Sequence, residues 1–97
     1  MRGGWVYIMA NRYRGSMYSG VTANLPARIY AHRQGHGSKT VREKQLFQLV
    51  WAEPVDRIED GIAFEKRLER WRRQWKFDLI ERANPNWDDL YDLLMGC

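Results

Sequence analysis

The sequence predicts an α+β fold: a small three-stranded antiparallel sheet flanked by helices, in the order β-β-α-β-α-α. Three observations carry this. The β-branched and aromatic runs Trp5-Val6-Tyr7-Ile8-Met9 and Met17-Tyr18-Ser19-Gly20-Val21 flank a polar segment at 11–15, the pattern of a hairpin. A third such run, at 46–52, stops before Pro54. From Ile58 to Arg82, apolar residues recur at helical spacing. Strands and helices with one apolar side each bury those sides against one another, which gives a sheet with helices packed on it.

A hairpin turn centred near Arg12-Tyr13 puts Tyr7 directly opposite Tyr18, with both side chains on one face of the sheet. Asn24 reads as the N-cap of a helix over 25–34. Pro26 is tolerated in its first turn and Gly35 marks its end. Leu25 and Ile29 form its apolar stripe, with Arg28 and His32 one turn apart beside it. Residues 35–39 read as a loop and 46–52 as the third strand. In the long helix over 58–82, Phe64, Leu68, Trp71, Trp75 and Leu79 make a core-facing stripe. Asn84-Pro85 ends it, and a last short helix over 87–94 carries Asp88, Asp89 and Asp92.

Ninety-seven residues make one domain over 1–97, able to bury about two-thirds of the unfolded chain's surface. That size excludes a second core and a separate recognition domain. Hydrophobic residues are 44% and charged residues 29%, with five Trp and five Tyr, so the chain folds. No apolar run approaches the roughly 20 residues that cross a bilayer, and the N-terminus has no signal-peptide pattern. The lone Cys97 excludes an internal disulfide and a cysteine zinc cage. A cytoplasmic location without membrane association is expected.

Charge is unevenly distributed. Residues 1–77 hold fifteen bases against seven acids, and residues 78–97 hold Arg82 against five acids. A basic body with an acidic tail fits a polyanionic partner, nucleic acid first, or else a solvated basic helix. No nucleophile elbow, zinc-protease helix or phosphate loop is present. The candidates for chemistry are Tyr7, Tyr18, Arg28, His32, Glu65 and Asn84. Taken alone, an interior tyrosine is more often a core residue, a helical Arg or His more often a surface group, and Glu65 more often a solvated helix carboxylate.

Their order is more specific. Trp5-Val6-Tyr7, then Tyr18-Ser19-Gly20-Val21-Thr22, then Asn24-Leu25, Arg28-Ile29 and His32 resemble the GIY-YIG endonuclease superfamily. The segment from Glu65-Lys66 through Trp71-Arg72-Arg73, Trp75-Lys76, Leu79-Ile80-Glu81, Asn84-Pro85, Trp87 and Asp89-Leu90 is similar to a small stand-alone bacterial branch. That branch is itself similar to the N-terminal nuclease domain of the excinuclease C subunit of nucleotide excision repair. The naming triplets are altered: Trp5-Val6 precedes Tyr7, and Ser19 stands between Tyr18 and Gly20 where the motif has Ile.

The resemblance implies metal-assisted phosphodiester hydrolysis of DNA, with RNA left open. Tyr7 and Tyr18 would position or deprotonate water, their phenol pKa lowered by a cation and a metal-bound water. Arg28 would hold the scissile phosphate and Glu65 a Mg²⁺ or Mn²⁺ ion, which needs only one or two protein carboxylates. His32 would assist at the phosphate or a tyrosine, and Asn84 would stand near the site. Arg67, Arg70, Arg73 and Lys76 on the basic helix, with Lys39, would contact phosphates away from that centre. The alternatives are a non-catalytic nucleic-acid-binding module on the same scaffold and a protein-interaction domain with a solvated basic helix. The complete set of Tyr7, Tyr18, Arg28 and Glu65 favours the nuclease. Cutting would be structure-directed or nonspecific, or take its specificity from a protein partner.

Overall fold

The computed structural model describes residues 3–36 and 38–94. Expectations that involve Met1, Arg2, Gly37 and Cys97 lie outside the described residues. Strands β1 (Gly4–Ala10) and β2 (Met17–Thr22) form a hairpin, followed by helices α1 (Leu25–Arg33) and α2 (Lys39–Lys44). Strand β3 (Gln48–Val55) returns to the sheet, and helices α3 (Ile58–Arg70), α4 (Arg73–Ala83) and α5 (Tyr91–Leu94) follow. The sheet is antiparallel in the order β2-β1-β3, so the expected three-stranded α+β architecture is what forms.

β1 is central and covered on both faces, which explains why Val6-Tyr7-Ile8-Met9-Ala10 is an unbroken apolar run. Its alternate residues feed two cores. Tyr7 and Met9 pack with Leu25, Ile29, Val41, Leu46 and Leu49 beneath α1 and α2. Val6, Ile8 and Ala10 pack with Val50, Trp51, Leu68, Phe77, Ile80 and Trp87 beneath α3 and α4. The helix α1 begins as expected: the Asn24 side chain accepts from the Ala27 N–H at 3.2 Å, and the chain turns away at Gly35, whose φ is +81°.

The structure differs from the expected elements in four places. The segment read as a loop ends in α2, capped by the Ser38 hydroxyl on the Val41 N–H at 3.4 Å. Val41 is its one buried residue, too little to create a periodic signal. β3 runs through Pro54 to Val55, because an edge strand pairs on one side only and tolerates a missing N–H.

The long helix over 58–82 is two helices, broken where Trp71 and Arg72 are extended. Unbroken, those twenty-five residues would span about 37 Å at 1.5 Å each, more than the molecule's longest dimension of 33 Å. The break turns Phe77 and Ile80 inward and leaves Trp75, expected in the core, 51% exposed. Finally, the last helix starts at Tyr91 rather than Trp87. Trp87 is buried in a left-handed turn at φ +59°, donating its indole N–H to Glu81 at 2.7 Å.

Candidate active site

The candidate residues gather around β2, an edge strand of the sheet. Tyr7 pairs with Gly20 and Tyr18 with Met9, so the tyrosines share a face but stand on a diagonal rather than directly opposite. The loop explains the shift. Asn11 and Ser16 close it, with Asn11 N–H donating to Ser16 O and Ser16 N–H donating to the Asn11 side chain. Arg14 takes the left-handed conformation at φ +52°, which moves the turn's centre one residue later than the sequence suggested.

The pairing sets how far Tyr7 reaches. From the central strand its ring crosses over Gly20: a Cβ there would lie 2.6 Å from the phenol oxygen. Gly20 is thus a gap in β2 through which Tyr7 reaches α1. Two α1 side chains one turn apart meet it. Arg28 Nε–H donates to Tyr7 Oη at 3.4 Å, and His32 Nε2 lies 2.9 Å from the same oxygen. The Tyr18 ring stands edge-on to His32, centroids 5.7 Å apart.

His32 is fully buried, and its Nδ1 has no partner among the described residues. His32 Nε2 and Tyr7 Oη therefore share the side-chain hydrogen bond of this buried ring, the donor being set by its tautomer. Burial, and secondarily the Arg28 charge, hold the His32 pKa below its usual value, so the ring is neutral.

Tyr7 itself departs from expectation. Burial raises its pKa, and the nearby Tyr18 and Glu65 push the same way, outweighing the hydrogen bond and charge of Arg28. With this chain's own groups alone, Tyr7 is a neutral phenol. It also has no exposed surface, whereas Tyr18 is half-buried and lines a cavity. The Tyr7 contact raises the Arg28 pKa further, and Arg28 is exposed, its terminal nitrogens making no ion pair among the described residues.

Glu65 approaches β2 from the other face. It lies on α3 between the buried Gly61 and Leu68 at helical spacing, on the side turned to the sheet. A Cβ on Gly61 would lie 2.9 Å from the Val21 side chain, so a glycine there lets α3 sit close enough for Glu65 to reach β2. Ser19 Oγ donates to Glu65 Oε2 at 3.1 Å. Burial pushes the Glu65 carboxyl above the usual range and Glu69, one turn on, adds to this, while the Ser19 bond pulls it back. Beside them lies a cavity of about 260 Å³ lined by Tyr18, Ser19, Glu69 and Lys76 over an apolar floor of Ile8, Met17 and Leu68.

Among the described residues, no three His, Cys, Asp or Glu side chains gather to cage an ion. The donor set still fits a hard, well-hydrated divalent ion. Ser19 occupies one Glu65 oxygen, and a Mg²⁺ ion would need only one carboxylate here, since it keeps most of its ligands as water and phosphate oxygens.

The other expected site residues are dispersed. Asn84 is buried below β3, roughly 10 Å across two strand spacings from β2. Both its amide hydrogens go to Val50 O and Asp88 O at 2.9 Å, and its oxygen accepts from Asp88 N–H at 3.1 Å. Asn84 therefore ties the tail to the sheet and is not brought to the site. Arg73, expected on phosphate, donates to the hairpin carbonyls Arg14 O and Gly15 O at 3.2 and 2.7 Å and lies over Phe77. It clamps the hairpin to α4. Arg67 lies over Phe64 while remaining exposed, and Arg70 is exposed. Lys39 starts α2, 3.9 Å from Glu43. Lys76, expected away from the centre, lines the cavity with Tyr18 and Ser19.

Sequence reasoning missed Ser19 as a partner of Glu65. The available signal was a polar residue on a strand whose next-but-one neighbours, Met17 and Val21, pack against the α3 core.

Comparison with known proteins follows the same lines. A family described as the GIY-YIG catalytic domain matches residues 3–78. A UPF0213 protein of Staphylococcus saprophyticus is 30% identical, over 81% of this chain and 95% of its own. A longer UPF0213 protein of Aeromonas salmonicida is 26% identical over 90% of this chain, which spans 63% of it. The solution NMR structure of a UPF0213 protein from Bacillus halodurans superposes with a TM-score of 0.56 at 26% identity, covering 94% of this chain and 96% of that one.

Proposed function

The chain belongs to the GIY-YIG catalytic domain family, and on that premise we propose that it is a divalent-metal-dependent endonuclease hydrolysing phosphodiester bonds in DNA. One observation carries the proposal: Arg28, Tyr7 and His32 are joined on one face of β2 with the Tyr18 ring edge-on to His32, and Glu65 is held by Ser19 on the other.

Each group has a task its surroundings suit. Arg28 spends Nε on Tyr7 and offers its terminal nitrogens to a phosphate, a planar fork against two oxygens. Tyr7, buried and neutral, fixes that fork and is itself held by His32. Tyr18, the less buried of the pair, would act as its phenolate: it accepts a proton from the attacking water and becomes phenol as the water oxygen bonds to phosphorus and the bond to the leaving oxygen breaks. Lys76 faces the same cavity and neutralises phosphate charge there. A divalent ion on Glu65 would polarise the phosphoryl group and stabilise the leaving oxygen.

Cleavage is structure-directed or nonspecific, since the groups described here contact phosphate and water rather than base edges. The test is a panel of labelled nicked, branched, duplex and single-stranded DNA, with matched RNA, incubated with Mg²⁺, Mn²⁺ or chelator. Metal-dependent cutting of DNA is expected. Binding without cutting in every metal condition would leave a nucleic-acid-binding module instead.

A further inference from the structure

We propose that the Ser19 hydroxyl is the positioning group for the Glu65 carboxylate, a role that rests on the metal-site reading above. Strand alternation supplies the first part of the argument. In Tyr18-Ser19-Gly20, Tyr18 and Gly20 face α1 with Tyr7, so Ser19 faces α3. Three successive residues thus supply the ring beside His32, a hold on the carboxylate and the gap for Tyr7.

The hydrogen bond supplies the second part. Glu65 sits mid-helix on a flexible side chain, half-buried against the sheet. Among the described residues it forms no ion pair, and Ser19 Oγ is the hydrogen-bond donor it has, at 3.1 Å on Oε2. That bond restrains the carboxylate beside the cavity that Ser19 lines. An aliphatic side chain at position 19, as the family motif has, would pad α3 against β2 and offer no donor. This chain therefore aims its carboxylate by a hydroxyl on the neighbouring strand. Groups that orient a metal ligand from behind typically change metal affinity by about 10-fold or more when removed.

The experiment measures Mn²⁺ affinity of the whole protein by the electron paramagnetic resonance signal of free Mn²⁺, without nucleic acid. It compares wild type, Ser19→Ala, Ser19→Thr and Glu65→Gln. Cleavage at varied Mg²⁺ and thermal unfolding are followed on the same samples. Ser19→Ala is expected to weaken Mn²⁺ binding about 10-fold and raise the Mg²⁺ needed for half-maximal cleavage in step. Its saturated rate and melting temperature should change little. Ser19→Thr keeps the hydroxyl, has the cavity to receive its methyl, and should restore wild-type affinity. Equal affinity in wild type and Ser19→Ala, or equal loss in Ala and Thr, overturns the positioning role while the metal site stands. Wild-type affinity in Glu65→Gln, or no Mn²⁺ binding by the wild type, overturns the metal site and the proposal with it.

Discussion

Tyr7 reaches α1 through the space that Gly20 leaves: a Cβ at position 20 would sit 2.6 Å from the Tyr7 oxygen and 2.7 Å from its Cζ. Tyr7 has no exposed surface and no room to retreat. Gly20→Ala should therefore displace the ring, break the contacts with Arg28 and His32, and cost about 1–3 kcal/mol of stability as overpacking does. Cleavage should fall with it. Urea unfolding and a DNA cleavage assay measure both. An alanine variant with wild-type stability and activity would mean that Tyr7 does not need the gap.

The two tyrosines should separate under Tyr→Phe substitution. Tyr18 is half-buried and is the proposed proton acceptor, so Tyr18→Phe should slow cleavage by on the order of 10²-fold with a nearly unchanged melting temperature. The Tyr7 oxygen serves His32 and Arg28, so Tyr7→Phe leaves the buried His32 Nε2 without its hydrogen-bond partner and should cost about 1–3 kcal/mol of stability. Single-turnover cleavage and thermal melts distinguish the two. Stability lost at Tyr18 and not at Tyr7 would reverse the assignment.

His32 makes a pH prediction. Its folded pKa is depressed below 6.5, by burial first and Arg28 second, so below that pH the unfolded chain binds more protons than the folded one. The stability it contributes is complete above pH 6.5 and is lost as pH falls from there toward the folded pKa. The slope cannot exceed about 1.4 kcal/mol per pH unit. Glu65, whose folded pKa is raised, acts in the opposite sense at lower pH, so the informative quantity is the difference between wild type and His32→Gln. Urea unfolding at pH 7.5 and pH 5.5 should show a smaller loss of stability on acidification in His32→Gln. An equal loss would place the titrating group elsewhere.

Local signals were legible in the sequence, and long-range ones were not. Asn24 and Gly35 bracket α1 because caps act on their own helix, and the spacing of Arg28 and His32 already placed them on one side of it. Tyr7 and Tyr18 were legible as neighbours, though their diagonal offset depends on the left-handed Arg14 in the loop. The break at Trp71-Arg72 has no local marker, neither a proline nor a glycine. That break is what carries Arg73 to the hairpin carbonyls, Lys76 into the cavity and Trp75 into solvent. The Ser19–Glu65 bond joins residues 46 positions apart on different elements. Only the packing of α3, permitted by Gly61, brings them together.

The central claim is that Glu65 supports catalysis through a bound divalent ion while Arg28 and the basic surface hold the nucleic acid. The most direct test compares wild type and Glu65→Gln in single-turnover cleavage of labelled DNA in Mg²⁺, with binding of the same DNA measured in chelator. The expected result is cleavage reduced by on the order of 10³-fold or more, the scale of lost transition-state electrostatics, with DNA affinity and melting temperature unchanged. Cleavage by Glu65→Gln at the wild-type rate, or wild-type cleavage that persists in excess chelator, would contradict the account.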